Sequence, residues 1–405
     1  VNDIFDPVDL GPITLRNRVI KAATFEGRTP DALVTDELIE FHREIAAGGV
    51  GMSTIAYCAV APGGRTDRHQ IWMRPEALPG LRRLTDAIHA EGAKVSAQIG
   101  HAGPVANAAS NRAPALAPTR LWSPLSMKMT QSPSVAEIQD LVAAHVQAVL
   151  LAEEAGFDAV ELHFGHNYLV SSFLSPLLNR RKDAYGGTLD HRARMAREVA
   201  LAVREAVGGR LAILAKLNME DGVRGGFSLA ESLRVASWLE SDGGLDALEL
   251  TAGSSLLNPM LLFHGDAPRQ AFAKTLPGPT RLGFKVVGKA FLREYPYHGT
   301  YLIERARQFR RELSMPLVLL GGITDIDDMR RARREGFEFM AMGRALLREP
   351  DLLRRIRSDA ATRSACIHCN ECMPTIYTGT RCVLRLDGPP IPPPDPDRRE
   401  MRDDS

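Results

Sequence analysis

The chain has 405 residues, 44% of them hydrophobic, and 50 basic side chains against 49 acidic ones. Such a length and apolar content can bury one large core, enough for a barrel of about 250 residues with extensions. A formal net charge of +1 supplies no long-range field for nucleic acid or anionic lipid, so the expected partner is a small molecule. There is no run of about eighteen apolar residues, and the opening VNDIFDPVDL lacks a charged-then-apolar leader. A soluble cytoplasmic protein is expected, and Val1 fits an alternative start codon that would make it the natural N-terminus.

Eight apolar runs read as strands in chain order: VIKAAT from Val19, VGMSTI from Val50, KVSAQI from Lys94, DAVELH from Asp158, LAILAKL from Leu211, DALELT from Asp246, PLVLLGG from Pro316 and FEFMAMG from Phe337. Near-continuous apolarity is what parallel strands covered on both faces require, and helical segments separate the runs. Ser134 with Glu137, and Ser228 with Glu231, have capping-box spacing. Ile138, Leu141, Val142, Val146 and Val149 share one helical face. The simplest closure is an α/β fold, a (β/α)8 TIM barrel over residues 1–350. A long loop-rich segment from Gly253 to Tyr301 follows the sixth strand and is expected to cover the site, with Tyr295 and Tyr297 packing it onto the barrel. A Cys-rich extension is expected over 351–385 and a proline-rich, charged, disordered tail over 386–405.

The fourth strand runs out into His163, His166 and Tyr168. Two imidazoles can donate hydrogen bonds to a substrate oxygen, and a phenol beside them can deliver a proton to carbon. Each residue alone is as well explained by a structural role; three at a barrel mouth favour chemistry. Gly321 and Gly322 end the seventh strand, and Gly343 with Arg344 ends the eighth. Glycines let backbone N–H groups approach an anion and arginine grips phosphate in a fork, so this pair of strand ends is the expected phosphate site. Gln98 ends the third strand and Lys216 lies near the end of the fifth. An amide that donates and accepts suits the pyrimidine edge of a flavin, and a cation there stabilises the anionic reduced ring. A buried lysine without an anion is costly, which favours a ligand beside Lys216. No GxGxxG follows a strand, so no Rossmann domain is visible.

Across Ile4 to Val383 these positions resemble one family. The matching pieces are GPITLRNRVIKAATFEG, AGGVGMSTIAYCAVAPGGR, VSAQIGHAG, ELHFGHNYLVSSFLSPLLNRRKDAYGGTLDHRAR, VLLGGI and MAMGRALLREPDL. The chain resembles the Old Yellow Enzyme family of FMN-dependent oxidoreductases, in the branch of 2,4-dienoyl-CoA reductase and trimethylamine dehydrogenase without their C-terminal nucleotide-binding domains. The resemblance implies FMN held by Ala23, Thr24, Tyr57, Gln98, Lys216, Gly322, Gly343 and Arg344. It implies NAD(P)H as the transient reductant. It also implies reduction of an activated C=C bond, with His163 and His166 on the substrate oxygen and Tyr168 as proton donor. Departures are Lys216 where many members have arginine, Asn167 in place of the usual glycine, and Thr24-Phe25-Glu26 in place of Pro-Met-Thr. Ala56-Tyr57-Cys58 resembles the Glu-Tyr-Cys run of trimethylamine dehydrogenase, which keeps amine or N-methyl oxidation as a rival activity.

Four of the five cysteines lie at Cys366, Cys369, Cys372 and Cys382, a spacing that in an intracellular protein indicates metal more than disulfides. Thiolates hold either tetrahedral zinc or an iron–sulfur cluster. The resemblance favours a four-iron four-sulfur cluster, though the last spacing is shorter than in those relatives. A separate electron-transfer protein beside the cluster is one expected partner, and association into homo-oligomers follows by analogy. The remaining rival is a non-catalytic, zinc-stabilised barrel that binds ligands without turning them over.

Overall fold

The computed structural model describes residues 3–123, 127–276 and 278–385; the tail expected at 386–405 lies outside them. All eight apolar runs become parallel strands of one closed barrel: β1 Val19–Lys21, β2 Met52–Ala59, β3 Lys94–Gly100, β4 Ala159–Phe164, β5 Ala212–Asn218, β6 Ala247–Thr251, β7 Leu317–Leu320 and β8 Phe339–Met342. Neighbours around the ring follow chain order, and the N–H of Ala22 donates to the Met342 carbonyl at 2.9 Å where the last strand meets the first. The strands are followed in turn by α1 Asp36–Ala47, α2 Leu78–Ala90, α3 Val135–Glu154, α4 Leu189–Val207, α5 Leu229–Asp242, α6 Ile303–Glu312, α7 Ile326–Arg334 and α8 Leu352–Ser358.

Strand alternation divides the core in two. Outward residues such as Leu248 and Leu250 pack with helix residues such as Val235 and Phe309, while Ala247, Leu214, Val318 and Phe339 fill the barrel interior. A hairpin of Val8–Leu10 and Ile13–Leu15 adds Leu10 and Leu15 to that interior set. Each such side chain stabilises the fold by about 1.5–3 kcal/mol when fully buried. The apolar filling leaves the C-terminal strand ends for polar groups.

Both capping boxes form: Ser134 with Glu137 starts α3, and Ser228 with Glu231 starts α5. By length and composition α3 could cross a membrane, but Ile138, Leu141, Val142 and Val149 are buried against the barrel, which makes it a core helix. The segment from Gly253 to Tyr301 differs from the loop-rich expectation, because it carries helices Arg269–Thr275 and Gly278–Phe291. Gly278, Gly283 and Gly288 lower the intrinsic helix preference of the second one and hide it from a propensity reading. The insert is closed on itself by the Tyr301 hydroxyl, which donates to the Leu262 carbonyl at 2.6 Å, and fastened beyond the end of β7 by the Tyr297 hydroxyl, which donates to the Gly322 carbonyl at 3.1 Å. Ser134→Ala is expected to lower stability by about 1 kcal/mol and leave flavin content unchanged, as read by urea denaturation and by absorbance of the folded protein.

Candidate active site

One polar layer crosses the barrel interior near the mouth. Register places Gln98 of β3 beside Glu161 of β4, and Lys216 of β5 between His163 of β4 and Glu249 of β6. Gln98 Nε2 donates to Glu161 Oε1 at 2.5 Å, and Lys216 Nζ donates to the same oxygen at 2.8 Å. Lys216 Nζ also lies 2.7 Å from Glu249 Oε1, in poorer alignment than its bond to Glu161, and Glu249 and Glu161 are within hydrogen-bonding reach of each other. Burial works to lower the lysine pKa, but the two carboxylates outweigh it and raise it. The anion that a buried lysine demands is therefore supplied from within the barrel, and burial of Lys216 alone does not call for a ligand. Glu161 and Glu249 were not among the residues the sequence singled out. Their signal was a shared pattern, DAVELH and DALELT, each with a carboxylate in an otherwise apolar strand.

The expected His–Tyr group assembles where β4 ends. Ring centroids of His163 lie 4.4 Å from Tyr168 and 5.3 Å from His166, and Tyr57 lies 5.5 Å from Tyr168. Tyr57 sits at a bulge: pairing of β2 with β3 jumps from Ile55–Ala97 to Cys58–Ile99, so Ala56 and Tyr57 together oppose Gln98. Its hydroxyl donates to the Gly64 carbonyl, and its ring packs edge-on against Tyr168. Burial holds His163 well below the usual imidazole range and His166 down to about 3, so both rings are neutral at neutral pH and act as hydrogen-bonding groups. His163 Nδ1 is buried without a partner. His166 Nε2 is 2.8 Å from Thr251 Oγ1, and its backbone N–H donates to Asn218 Oδ1 at 2.9 Å. Tyr168 follows directly on the left-handed residues His166 (φ 59°) and Asn167 (φ 57°), and caps the short helix Leu169–Leu174. Asparagine is the residue best able to replace glycine in that conformation. Asn167 Nδ2 is further held by Asp221 Oδ1 at 3.0 Å.

At the other side of the mouth, Ala23 and Thr24 leave β1 next to the end of β8. Thr24 Oγ1 is buried without a partner, and a Cβ built on Gly343 would find only the Thr24 methyl, at 3.7 Å. An unmet hydroxyl beside an open stretch of backbone fits a polar ligand group. Arg344 also makes contacts within the protein: its Nη1 donates to the His264 carbonyl at 2.8 Å and to Asn370 Oδ1, and its Nη2 to the Tyr301 hydroxyl at 3.2 Å. Much of its fork thus grips protein. Gly322 (φ 79°) is needed because a Cβ there would meet Tyr301 Cδ1 at 2.7 Å and Thr300 N at 2.9 Å. Close approach of the insert already explains that glycine.

Cys366, Cys369, Cys372 and Cys382 border one small cavity together with Arg344, Arg348 and Asn370. All four thiols are free, and burial pushes the Cys372 thiol up to about 12. Among the described residues, no three His, Cys, Asp or Glu side chains are placed to hold a single ion. Asn370, buried and left-handed (φ 58°), ties this loop to the insert after β6 by donating to the carbonyls of Phe263 at 2.8 Å and Asp266 at 2.9 Å.

The sequence profile of the NADH:flavin oxidoreductase / NADH oxidase family matches residues 3–249. The chain belongs to this family. It is 52% identical over 382 residues to the 4,4'-dithiodibutanoate disulfide reductase of Rhodococcus erythropolis, a match covering 94% of this chain and 95% of that protein. It is 32% identical over 377 residues to a metal reductase of Desulforamulus reducens, covering 92% of this chain but 52% of that one. Its fold matches that of the old yellow enzyme homologue from Zymomonas mobilis with a TM-score of 0.73 at 20% identity, over 96% of this chain and 100% of the other. This NADH:flavin oxidoreductase is accordingly an FMN-dependent NAD(P)H enzyme on a TIM barrel.

Asn167→Ala combines an unfavourable left-handed residue, about 1–2 kcal/mol, with a lost buried hydrogen bond, about 1 kcal/mol. Asn167→Gly loses only the second. Denaturation midpoints should rank wild type, then Gly, then Ala.

Proposed function

We propose that this flavoprotein reduces a small organic electrophile at the barrel mouth, and that its substrate is an organic disulfide carrying carboxylates. The observation that carries the substrate class is the 52% identity to a dithiodibutanoate disulfide reductase over nearly the whole of both chains. The residues that would hold FMN are Gln98 and Lys216 at the ring edge, with Ala23, Thr24 and Tyr57 nearby and Gly322, Gly343 and Arg344 toward the phosphate. The unpartnered Thr24 hydroxyl and the open backbone at Gly343 support that seat. Bound FMN supplies a hydride carrier that NAD(P)H reloads.

The protein's own groups do the rest. His163 and His166, both neutral, would hold a carboxylate or carbonyl oxygen; His163 Nδ1 has no protein partner to give up. Tyr168, packed between His163 and Tyr57, would deliver a proton. Cleaving RS–SR to two thiols takes two electrons and two protons, and the departing thiolate is the group Tyr168 would protonate. The same arrangement suits a second reading, reduction of an α,β-unsaturated carbonyl. There Tyr168 would protonate the α-carbon of an alkene whose β-carbon takes the hydride that bound FMN would supply, and the two histidines would stabilise the charge developing on oxygen.

The cysteine loop would hold a four-iron four-sulfur cluster through Cys366, Cys369, Cys372 and Cys382. Four thiols that surround a cavity without converging on a point match a multi-iron cluster better than one zinc with Zn–S bonds of about 2.3 Å.

Tyr168→Phe should slow reoxidation of the reduced flavin by 4,4'-dithiodibutanoate or by cyclohexenone about 100-fold or more. Flavin reduction by NAD(P)H should stay near the wild-type rate in the same stopped-flow experiment. Equal loss in both half-reactions would remove Tyr168 from the proton-donor role, and faster turnover of the enone would favour the second reading. Iron and acid-labile sulfide in anaerobically purified protein should each approach about four per chain; zinc without iron would overturn the cluster.

A further inference from the structure

Two carboxylates and one ammonium share the polar layer, and the mechanism above uses only the ammonium. Glu249 and Glu161 are 0% and 1% exposed, and Lys216 3%. With all three ionised the layer would hold a net negative charge inside an apolar barrel, which is strongly unfavourable. The hydrogen bonds show which carboxyl gives way. Glu161 Oε1 receives both Gln98 and Lys216 in well-aligned hydrogen bonds, whereas Glu249 meets Lys216 only through a poorly aligned 2.7 Å contact and otherwise faces Glu161 itself, to which a protonated Glu249 can donate.

Nothing else facing Glu249 can balance it. From β1, β2, β7 and β8 the interior receives Ile20, Met52, Val318 and Phe339, with Thr54 of β2 buried as well, none of them charged. From β3, β4 and β5 come Gln98, Glu161, Lys216 and His163, the last paired in register with Lys216 and kept neutral by burial. Lys21, whose charge also acts on Lys216 and Glu161, is committed to Glu26 at 2.7 Å.

We propose that Glu249 is a proton-holding residue which sets the charge of this layer through Lys216, and that flavin reduction in alkaline solution draws a proton onto it. The inference rests on the reading that the FMN ring edge lies at Gln98 and Lys216. Burial, then the charge of Glu161, raises Glu249 to about 8, while Lys216 helps hold Glu161 low against burial. Below that point Glu249 is protonated in both redox states, and the layer is neutral. Above it, oxidised protein carries ionised Glu249. A hydride equivalent then adds two electrons and one proton to the flavin and leaves a negative charge beside Lys216. The lysine can no longer compensate two carboxylates as well, so Glu249 takes one proton from solvent.

The test is proton uptake by FMN-loaded protein photoreduced without substrate at about pH 9, followed with an indicator dye in weak buffer. Wild type should take up about one proton more per flavin than Glu249→Gln. Glu161→Gln should also lose the extra proton, because it leaves Glu249 as sole counter-ion of Lys216 and permanently ionised. If either variant fails to fold, the other decides; equal uptake in wild type and a folded variant overturns the proposal. Failure of the reduced protein to reduce a disulfide or an enone would instead fault the proposed reaction, since no substrate enters this measurement.

Discussion

Lys216 puts a full positive charge inside a closed barrel whose other interior residues are largely apolar, and much of the site is arranged around that charge. The ammonium is tolerated because β4 and β6 each bring a carboxylate to it, at 2.8 Å and 2.7 Å. The two glutamates in turn tolerate each other only if one keeps a proton. The result is a layer close to neutral that still presents a fixed cation. A lysine in place of the more usual arginine gives a compact charge without a fork, and the surrounding Gln98 and Glu161 supply the directional hydrogen bonds that a fork would have made.

The catalytic side of the mouth depends on backbone geometry more than on charge. His166 and Asn167 both adopt the left-handed conformation, turning the chain sharply so that Tyr168 faces back toward His163. That turn is pinned from two other strand ends, by Asn218 and Thr251 on His166 and by Asp221 on Asn167. The bulge at Ala56–Tyr57 aims a second aromatic ring at the same space. The cysteine loop is fixed differently, by contacts that include one buried amide: Asn370 spans the insert after β6 and Arg344 after β8, and the His368 ring stacks on Tyr297. The arginine expected to serve the flavin phosphate thus also anchors the loop that would carry a cluster.

The barrel was legible because each parallel strand is covered on both faces and so reads as an apolar run, and because capping residues mark α3 and α5. His163, His166 and Tyr168 were legible because they crowd one strand end. What stayed hidden was pairing across long separations. Glu161 and Glu249 acquire meaning only when β4, β5 and β6 lie side by side, and Arg344 only when Asn370 folds back onto it. The helix Gly278–Phe291 was hidden for a local reason, its glycines, and its exposed Leu282 and Val286 show how little burial contributes to it.

The most direct test of the Lys216 layer is the midpoint potential of bound FMN in wild type and Lys216→Met, measured anaerobically at neutral pH. A cation at the ring edge favours the reduced, anionic flavin, so wild type should have the more positive potential. Equal potentials in two folded, FMN-loaded proteins would place the flavin ring away from Lys216 and contradict the account.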